Sequence, residues 1–426
     1  MRYVIPIIGL LLLIFVHELG HFTAAKRTGM RALRFYIGFP PPIVRRTVRD
    51  TEYGIGLIPL GGFVKIPGML RPEPSDLWAV EDMLHRSEHV PQERASEIGV
   101  AHDHITRLIA LGRMDEAAVA AGELRDLIAG TEEIGELDRR RARKALERFI
   151  ESTDPRGYWR SPRRNRLITI AAGPFANILT AFIILTALAV TGMPQPLYPT
   201  PAVAGIEKGL PGDRAGLRVG DRIVEVDGHP VRTISFNGHR IGDFAQVRGL
   251  ISGSGGHAVT LTVRRGTQTL KIGPLRPVRR DGRYIVGFIP DAIATTRSAP
   301  VWKAPVEGVS QMWTMISGSV RGIGSEGTSS VSGPVGIVKV SASAADTGAP
   351  YYLWLLGYIS LSLGILNLLP FLPLDGGHLL LLAIERFRGR ALSRATFERV
   401  SAFGIALVLF LFLFGLHNDL FGAQPR

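Results

Sequence analysis

The sequence predicts an α-helical polytopic membrane protein of about four transmembrane helices, with a helical cytoplasmic insert and an extracytoplasmic β-rich module. Three observations predict it. Four apolar runs, Val4–Ala25, Leu167–Val190, Tyr351–Pro370 and Val400–Leu416, are about as long as the roughly 17–25 residues a span needs. Basic residues cluster on alternate sides of those runs. Two stretches between the runs differ sharply in texture: residues 75–155 are rich in Glu, Arg, Ala and Leu, and residues 201–291 alternate Val/Ile-rich strands with turns.

The chain has 426 residues, 46% of them hydrophobic, a formal net charge of +13 and no cysteine. The lack of cysteine excludes disulfides, thiol nucleophiles and thiolate ligands, so a bound metal must use His, Asp or Glu. The positive charge follows the topology. Lys26, Arg27, Arg31, Arg34, Arg45, Arg46 and Arg49 follow the first run, Arg160, Arg163, Arg164 and Arg166 precede the second, and Arg386, Arg388, Arg390, Arg394 and Arg399 lie between the third and fourth. The flank 191–200 has none. Residues 26–166 and 373–399 are therefore expected inside, and residues 191–350 and both termini outside. No nucleic-acid-binding motif is present, and no nucleic acid is expected as a partner.

Within the first run stands His17-Glu18-Leu19-Gly20-His21. Two histidines four apart share a helical face and can share a metal, and the neighbouring glutamate can activate a water. Ionisable groups at a span centre cost about 2.5–3.5 kcal/mol each on insertion scales. A bound metal compensates, since structural zinc sites reach apparent binding energies of roughly 10–16 kcal/mol. The bland alternatives are a chance match and a cleaved signal peptide ending near Thr23-Ala24-Ala25. Apolar signal regions do not normally carry such a charged cluster.

The first domain is expected at 1–30, the first span with its motif. Residues 31–74 form a membrane-associated hairpin loop, with Tyr53–Pro67 as two short strands around a Gly61-Gly62 turn. Its apolar character suggests a hairpin dipping back into the membrane, where a strand edge is tolerated only if buried in protein or lining a cavity. The helical insert is expected at 75–160, with a helix–turn–helix from Ile105 and a basic amphipathic helix over Ile134–Ile150. Its His85, His89, His102 and His104 lack a ligand frame and read as surface residues. The second span, 161–195, carries Gly173-Pro174, read as punctuation near the helix start, and Asn177, which needs a partner inside the bundle. The β-rich module follows at 196–295. Residues 296–350 read as an amphipathic, interfacial segment with Val306, Val309, Trp313, Ile316, Val320 and Ile323 on one face and Trp302 beside it. Ser332–Val338 reads as a turn. Residues 351–426 hold the third and fourth spans.

Two histidines need a third ligand. The candidate is Asp375, in the stretch Asn367 to His378 (NLLPFLPLDGGH), where prolines interrupt the third span and Gly376-Gly377 allow close backbone approach. His17 lies about 20 Å below Val4 at 1.5 Å per residue. The third span also runs outside to inside, so its end reaches that same inner level. His378 competes as a ligand, and Asp375 is preferred, with His378 behind it.

Taken together these motifs resemble the site-2 protease family of zinc intramembrane metalloproteases, in its bacterial branch with PDZ domains. They are HELGH at 17–21, IPLGGFVK at 58–65, GPFAN at 173–177, AGLRVGDRI at 215–223, GPVG at 333–336 and NLLPFLPLDGGH at 367–378. The resemblance implies one Zn2+ held by His17, His21 and Asp375, with Glu18 as catalytic acid/base. It implies substrate contacts at Asn367, at the re-entrant hairpin around Gly61 and Gly62, and near Asn177. It implies a size-selecting PDZ domain over 196–295 and a multi-pass enzyme of the inner or plasma membrane, in contact with lipid, its active site near the cytoplasmic face. Its substrates would be transmembrane proteins, such as anti-sigma factors or leftover signal peptides, first trimmed by an upstream site-1-type protease. The sequence departs from the family in having one PDZ module, a proline at 373 where 372 is expected, and the insert. A PDZ scaffold with a structural metal and a transporter with a His/Asp relay are the alternatives.

Overall fold

In the computed structural model, residues 2–86, 90–236, 239–280, 282–325, 333–389 and 393–421 are described. The elements run α1 (Val4–Arg27), β1 (Arg34–Val48), β2 (Thr51–Lys65), α2 (Trp78–Arg86), α3 (Gln92–Ala110), α4 (Met114–Gly130), α5 (Glu136–Ser152) and α6 (Arg163–Thr191). Then come β3 (Met193–Pro194), β4 (Tyr198–Ile206), α7 (Pro211–Arg214), β5 (Arg222–Val226), β6 (His229–Pro230), β7 (Thr233–Phe236), β8 (His239–Gly242), α8 (Phe244–Gly253), β9 (Val259–Arg265) and β10 (Gln268–Leu275). The chain continues through β11 (Val278–Arg280), β12 (Arg283–Ile285), β13 (Phe288–Ile293), β14 (Thr296–Arg297), α9 (Ala304–Ser325), α10 (Pro334–Thr347), α11 (Ala349–Asn367), α12 (Asp375–Arg388) and α13 (Arg394–Phe421).

Four of the described helices, α1, α6, α11 and α13, are long and apolar enough to cross a membrane. They carry the four apolar runs, and the protein is a mostly helical, polytopic membrane protein. Their apolar residues point outward to a degree that only lipid would satisfy: Phe403, Val408, Phe410 and Leu413 of α13 are all exposed. The chain divides into two compact units, residues 1–187 with 305–426, and residues 188–304.

In the first unit, β1 and β2 pair around a turn at Arg49-Asp50, where Arg49 takes φ 54°. Gly61 and Gly62 are not a turn. They lie within β2, where Gly62 pairs with Ile37. Residues 34–37 are flanked by 52–55 on one side and by 62–65 on the other. The strands thus fold back on themselves, and the glycines serve close packing instead of chain reversal. Phe35 and Tyr53 of this sheet pack against Phe15 and Phe22 of α1.

Helices α2 to α5 enclose a separate core that includes Val80, Met83, Ile98, Ile105, Leu124 and Phe149. Gly112, at φ 74°, reverses the chain between α3 and α4. The cluster is tied to the rest of its unit by backbone bonds from Tyr158 N to Pro67 O and Trp159 N to Gly68 O, both 2.9 Å. Ion pairs Lys65–Glu151, Arg31–Asp154 and Arg394–Asp76 add to these ties. His85 and His104 are exposed and His102 stands beside Asp103; His89 lies outside the described residues.

Residues 333–338 open helix α10 instead of forming a turn, and Ser332 lies outside the described residues. Buried Asp419 near the end of α13 explains the helix start. Its carboxylate accepts from Gly333 N at 2.9 Å and Gly336 N at 2.8 Å, satisfying amides that a helix N-terminus leaves free. Val306, Val309 and Trp313 form an exposed apolar face on α9; the side chains of Val320 and Ile323 lie outside the described set.

The second unit is built on a six-stranded sheet in which β10, β9, β5, β4 and β13 follow one another and β6 pairs with β5. Its core includes Val203, Ile223, Val226, Val247, Leu261 and Val263. Asp221 locks the β5 entry. Its buried carboxylate accepts from Arg265 Nε at 2.7 Å, Arg265 Nη2 at 2.8 Å and Arg218 N at 2.8 Å. Burial acts to raise this carboxyl, but the Arg265 fork and the Arg218 amide outweigh it and hold it below the ordinary aspartate value. A lowered carboxylate stabilises fully above its unfolded pKa and loses that contribution as pH falls through the folded one. Asp221→Asn is expected to cost about 1.5–3 kcal/mol at neutral pH. Hydrogen exchange of β5 and β9 amides measures this, and the gap to wild type should close in strong acid.

Candidate active site

The site begins with the helical repeat. His17 and His21 lie one turn apart on α1, so both rings leave the same face. Both residues are buried. His17 Nε2 and His21 Nε2 are 3.3 Å apart. Asp375 Oδ2 stands 3.2 Å from the first and 3.3 Å from the second. Among the described residues this is the group whose donor atoms could hold a metal ion together.

The spacing is chemically specific. A tetrahedral ion with ligand bonds of about 2.0 Å has donor atoms about 3.3 Å apart along each edge. The three atoms therefore form one face of such a tetrahedron, leaving its fourth corner for a water. Asp375 Oδ2 is buried and has no hydrogen-bond partner among the described residues. An orphaned carboxylate oxygen facing two imidazole nitrogens is a donor set that fits zinc.

Asp375, preceded by Pro370 and Pro373, reads from the sequence as lying on irregular backbone. It is the first residue of α12, whose amide-rich start favours a carboxylate. Residues 368–374 join α11 to α12 and deliver Asp375 to the donor group with His17 and His21.

Close backbone approach is what lets α1 and α6 meet here. A Cβ on Gly20 would collide with the Ala172 carbonyl, and one on Gly173 would overlap the His21 ring. Gly173-Pro174 is thus not punctuation at a helix start. Pro174 lies inside α6, and the glycine before it makes room for the imidazole. From α6, Thr169 O stands 2.8 Å from His21 Nδ1 and Asn177 Nδ2 3.2 Å from His17 Nδ1. Asn177 is fully buried, and Ser360 Oγ of α11 donates to its backbone carbonyl at 2.8 Å.

Glu18 leaves α1 beside the histidines. A Cβ on Gly62 would come within 2.8 Å of its Cγ, so the last stretch of β2 lies directly against it. The other sequence-derived candidates stand apart from the donor triangle. Gly61 packs against the Phe39 ring. Asn367 closes α11 and donates to Leu363 O at 3.0 Å. His378 is not in the metal-capable group; its ring lies 5.9 Å from that of Phe397, and it lines a cavity of about 760 Å3 with Tyr158, Arg166 and Glu385. Sequence reasoning missed Thr169, which acts through its backbone carbonyl and so carries no side-chain signal. It also missed the role of Gly173.

Gly173→Ala is expected to leave the helices in place while displacing the His21 ring. Metal analysis of the purified variant should then show at least tenfold weaker retention of a divalent ion, and wild-type retention would contradict the packing argument.

The chain is 29% identical to the regulator of sigma-E protease RseP of Escherichia coli, over 97% of each chain. It is 28% identical to the regulator of sigma-W protease RasP of Bacillus subtilis, over 96% of this chain and 95% of that one. A protein of Agrobacterium fabrum that carries the name zinc metalloprotease is 28% identical over 98% of this chain and 95% of its own. Its homologues being zinc metalloproteases, and the model of Peptidase family M50 matching it over residues 5–411, the chain belongs to that family, the site-2 proteases, and is a zinc-dependent metalloprotease.

Proposed function

We propose that the protein is an intramembrane endopeptidase that hydrolyses peptide bonds within the transmembrane segments of pre-trimmed membrane proteins. The observation that carries this reading is the triangle of His17, His21 and Asp375 donors, two corners of which stand on α1, a helix apolar enough to cross a membrane. In this reading His17, His21 and Asp375 hold the zinc ion. When bound, zinc lowers the pKa of a ligated water and polarises the scissile carbonyl. Glu18 accepts the proton from the attacking water and delivers it to the leaving amine.

A substrate helix must unwind before cleavage, because its amides are otherwise hidden in hydrogen bonds. Residues 62–65 of β2 pair with 34–37 on one side, and among the described residues no strand covers their other side. Because Gly62 abuts Glu18, an unwound segment added to that edge would run past the catalytic carboxylate. Exposed Ile43, Val44, Ile55 and Leu57 support a sheet whose tip enters the bilayer. Asn367 is assigned a substrate contact by its place in the motif. The second unit, with its six-stranded sheet and short helices α7 and α8, is read as a PDZ domain that admits substrates already shortened by an upstream protease. The distribution of basic residues supports an extracytoplasmic location for it and a cytoplasmic one for α2–α5. The names of RseP and RasP, regulators of sigma factors, favour anti-sigma-factor-like substrates.

Glu18→Gln is expected to retain one zinc per chain while cleavage of a model transmembrane substrate in detergent falls about 10²–10⁴-fold. His21→Ala and Asp375→Ala should lose zinc and cleavage together. A zinc-loaded wild type that releases no fragments would overturn the protease reading, and unchanged zinc content in both alanine variants would overturn the ligand assignment.

A further inference from the structure

The amide of Asn177 stands against a nitrogen that it cannot serve in the orientation described, and this tension carries an inference about zinc binding. It rests on His17 being a zinc ligand through Nε2, the atom 3.2 Å from Asp375 Oδ2. A neutral imidazole that offers the Nε2 lone pair carries its proton on Nδ1. The group facing Nδ1 must then accept. The amide nitrogen of Asn177, 3.2 Å away, is itself a donor. On the other end of the same amide, Asn177 Oδ1 is buried without a hydrogen-bond partner among the described residues. One half-turn of the amide about its terminal bond resolves both defects, giving Nδ1–H an acceptor and the carbonyl oxygen a donor.

We infer that Asn177 is a positioning residue for the zinc site: its amide oxygen accepts the His17 Nδ1 proton, fixes the tautomer, and aims Nε2 at the metal. His21 has an equivalent arrangement, with the Thr169 carbonyl as acceptor 2.8 Å from its Nδ1. Both acceptors come from α6, two turns apart. Asn177 is itself anchored, since the buried hydroxyl of Ser360 on α11 donates to its main-chain carbonyl. Helix α6 therefore contributes no ligand and still decides where both imidazole ligands point. The inference replaces a direct substrate role for Asn177, whose side chain is fully buried and directed at His17.

Two near-isosteric substitutions separate acceptor from donor. Asp offers oxygen acceptors only, and Leu offers neither function. Zinc affinity of the purified full chain, measured by chelator competition, is expected to fall about 10–100-fold in Asn177→Leu. It should stay within about threefold of wild type in Asn177→Asp. In a His17→Ala background, Asn177→Leu should cause no further loss, because the residue acts through that ring. KM for the model substrate should stay unchanged in Asn177→Asp. The inference is overturned if Asn177→Leu binds zinc like wild type, if Asn177→Asp is as weak as Asn177→Leu, or if KM alone rises. If Asn177→Leu does not yield folded protein, loss of affinity in Asn177→Asp still overturns it and retention supports it. If His17→Ala alone leaves zinc affinity intact, the ligand assignment fails, an outcome separate from all of these.

Discussion

Everything in the site depends on how closely α1 and α6 can approach. Two imidazoles and a carboxylate are costly in apolar surroundings unless they serve a metal and each ring has its second nitrogen satisfied. That satisfaction comes from α6; a side chain on Gly20 would meet the Ala172 main chain and hold the two helices apart, and one on Gly173 would displace the His21 ring. The contacts at Thr169 and Asn177 follow from this approach. On another side of α1, Gly62 has no side chain to keep β2 from lying against Glu18. Helix α12 then has only to present one carboxylate at the mouth of a frame that the other two helices have already set.

The parts of this arrangement written in side-chain chemistry were legible in the sequence. His17, Glu18 and His21 are recognisable by spacing alone, since the helical repeat fixes which residues share a face. Asp375 was reachable because opposite ends of a span cannot meet, which leaves few carboxylates at the right level. What depends on backbone was not legible. Thr169 contributes a carbonyl that any residue could supply. Gly61-Gly62 looks like a turn because glycine pairs usually are, whereas here the reversal falls at Arg49-Asp50 and the glycines thin the sheet where it meets α1. The helical position of Asp375 is hidden because the prolines before it mark an ending, and nothing local marks the restart.

The helical cluster α2–α5 is a body with its own core, yet its attachment is narrow. Half-exposed ion pairs such as Lys65–Glu151 contribute little each. The two backbone bonds joining 67–68 to 158–159 define the hinge-like seam more firmly, because they continue the strand that ends at Lys65.

Asp419 gives the end of the chain an architectural duty. The Asp419 carboxylate fastens the opening turn of α10, a segment more than eighty residues upstream, and α10 in turn packs on α1, which bears the histidines. The final helix is thus a clasp as well as a lipid-facing rod. Loss of the Asp419 carboxylate would unfasten a joint one layer removed from His17 and His21.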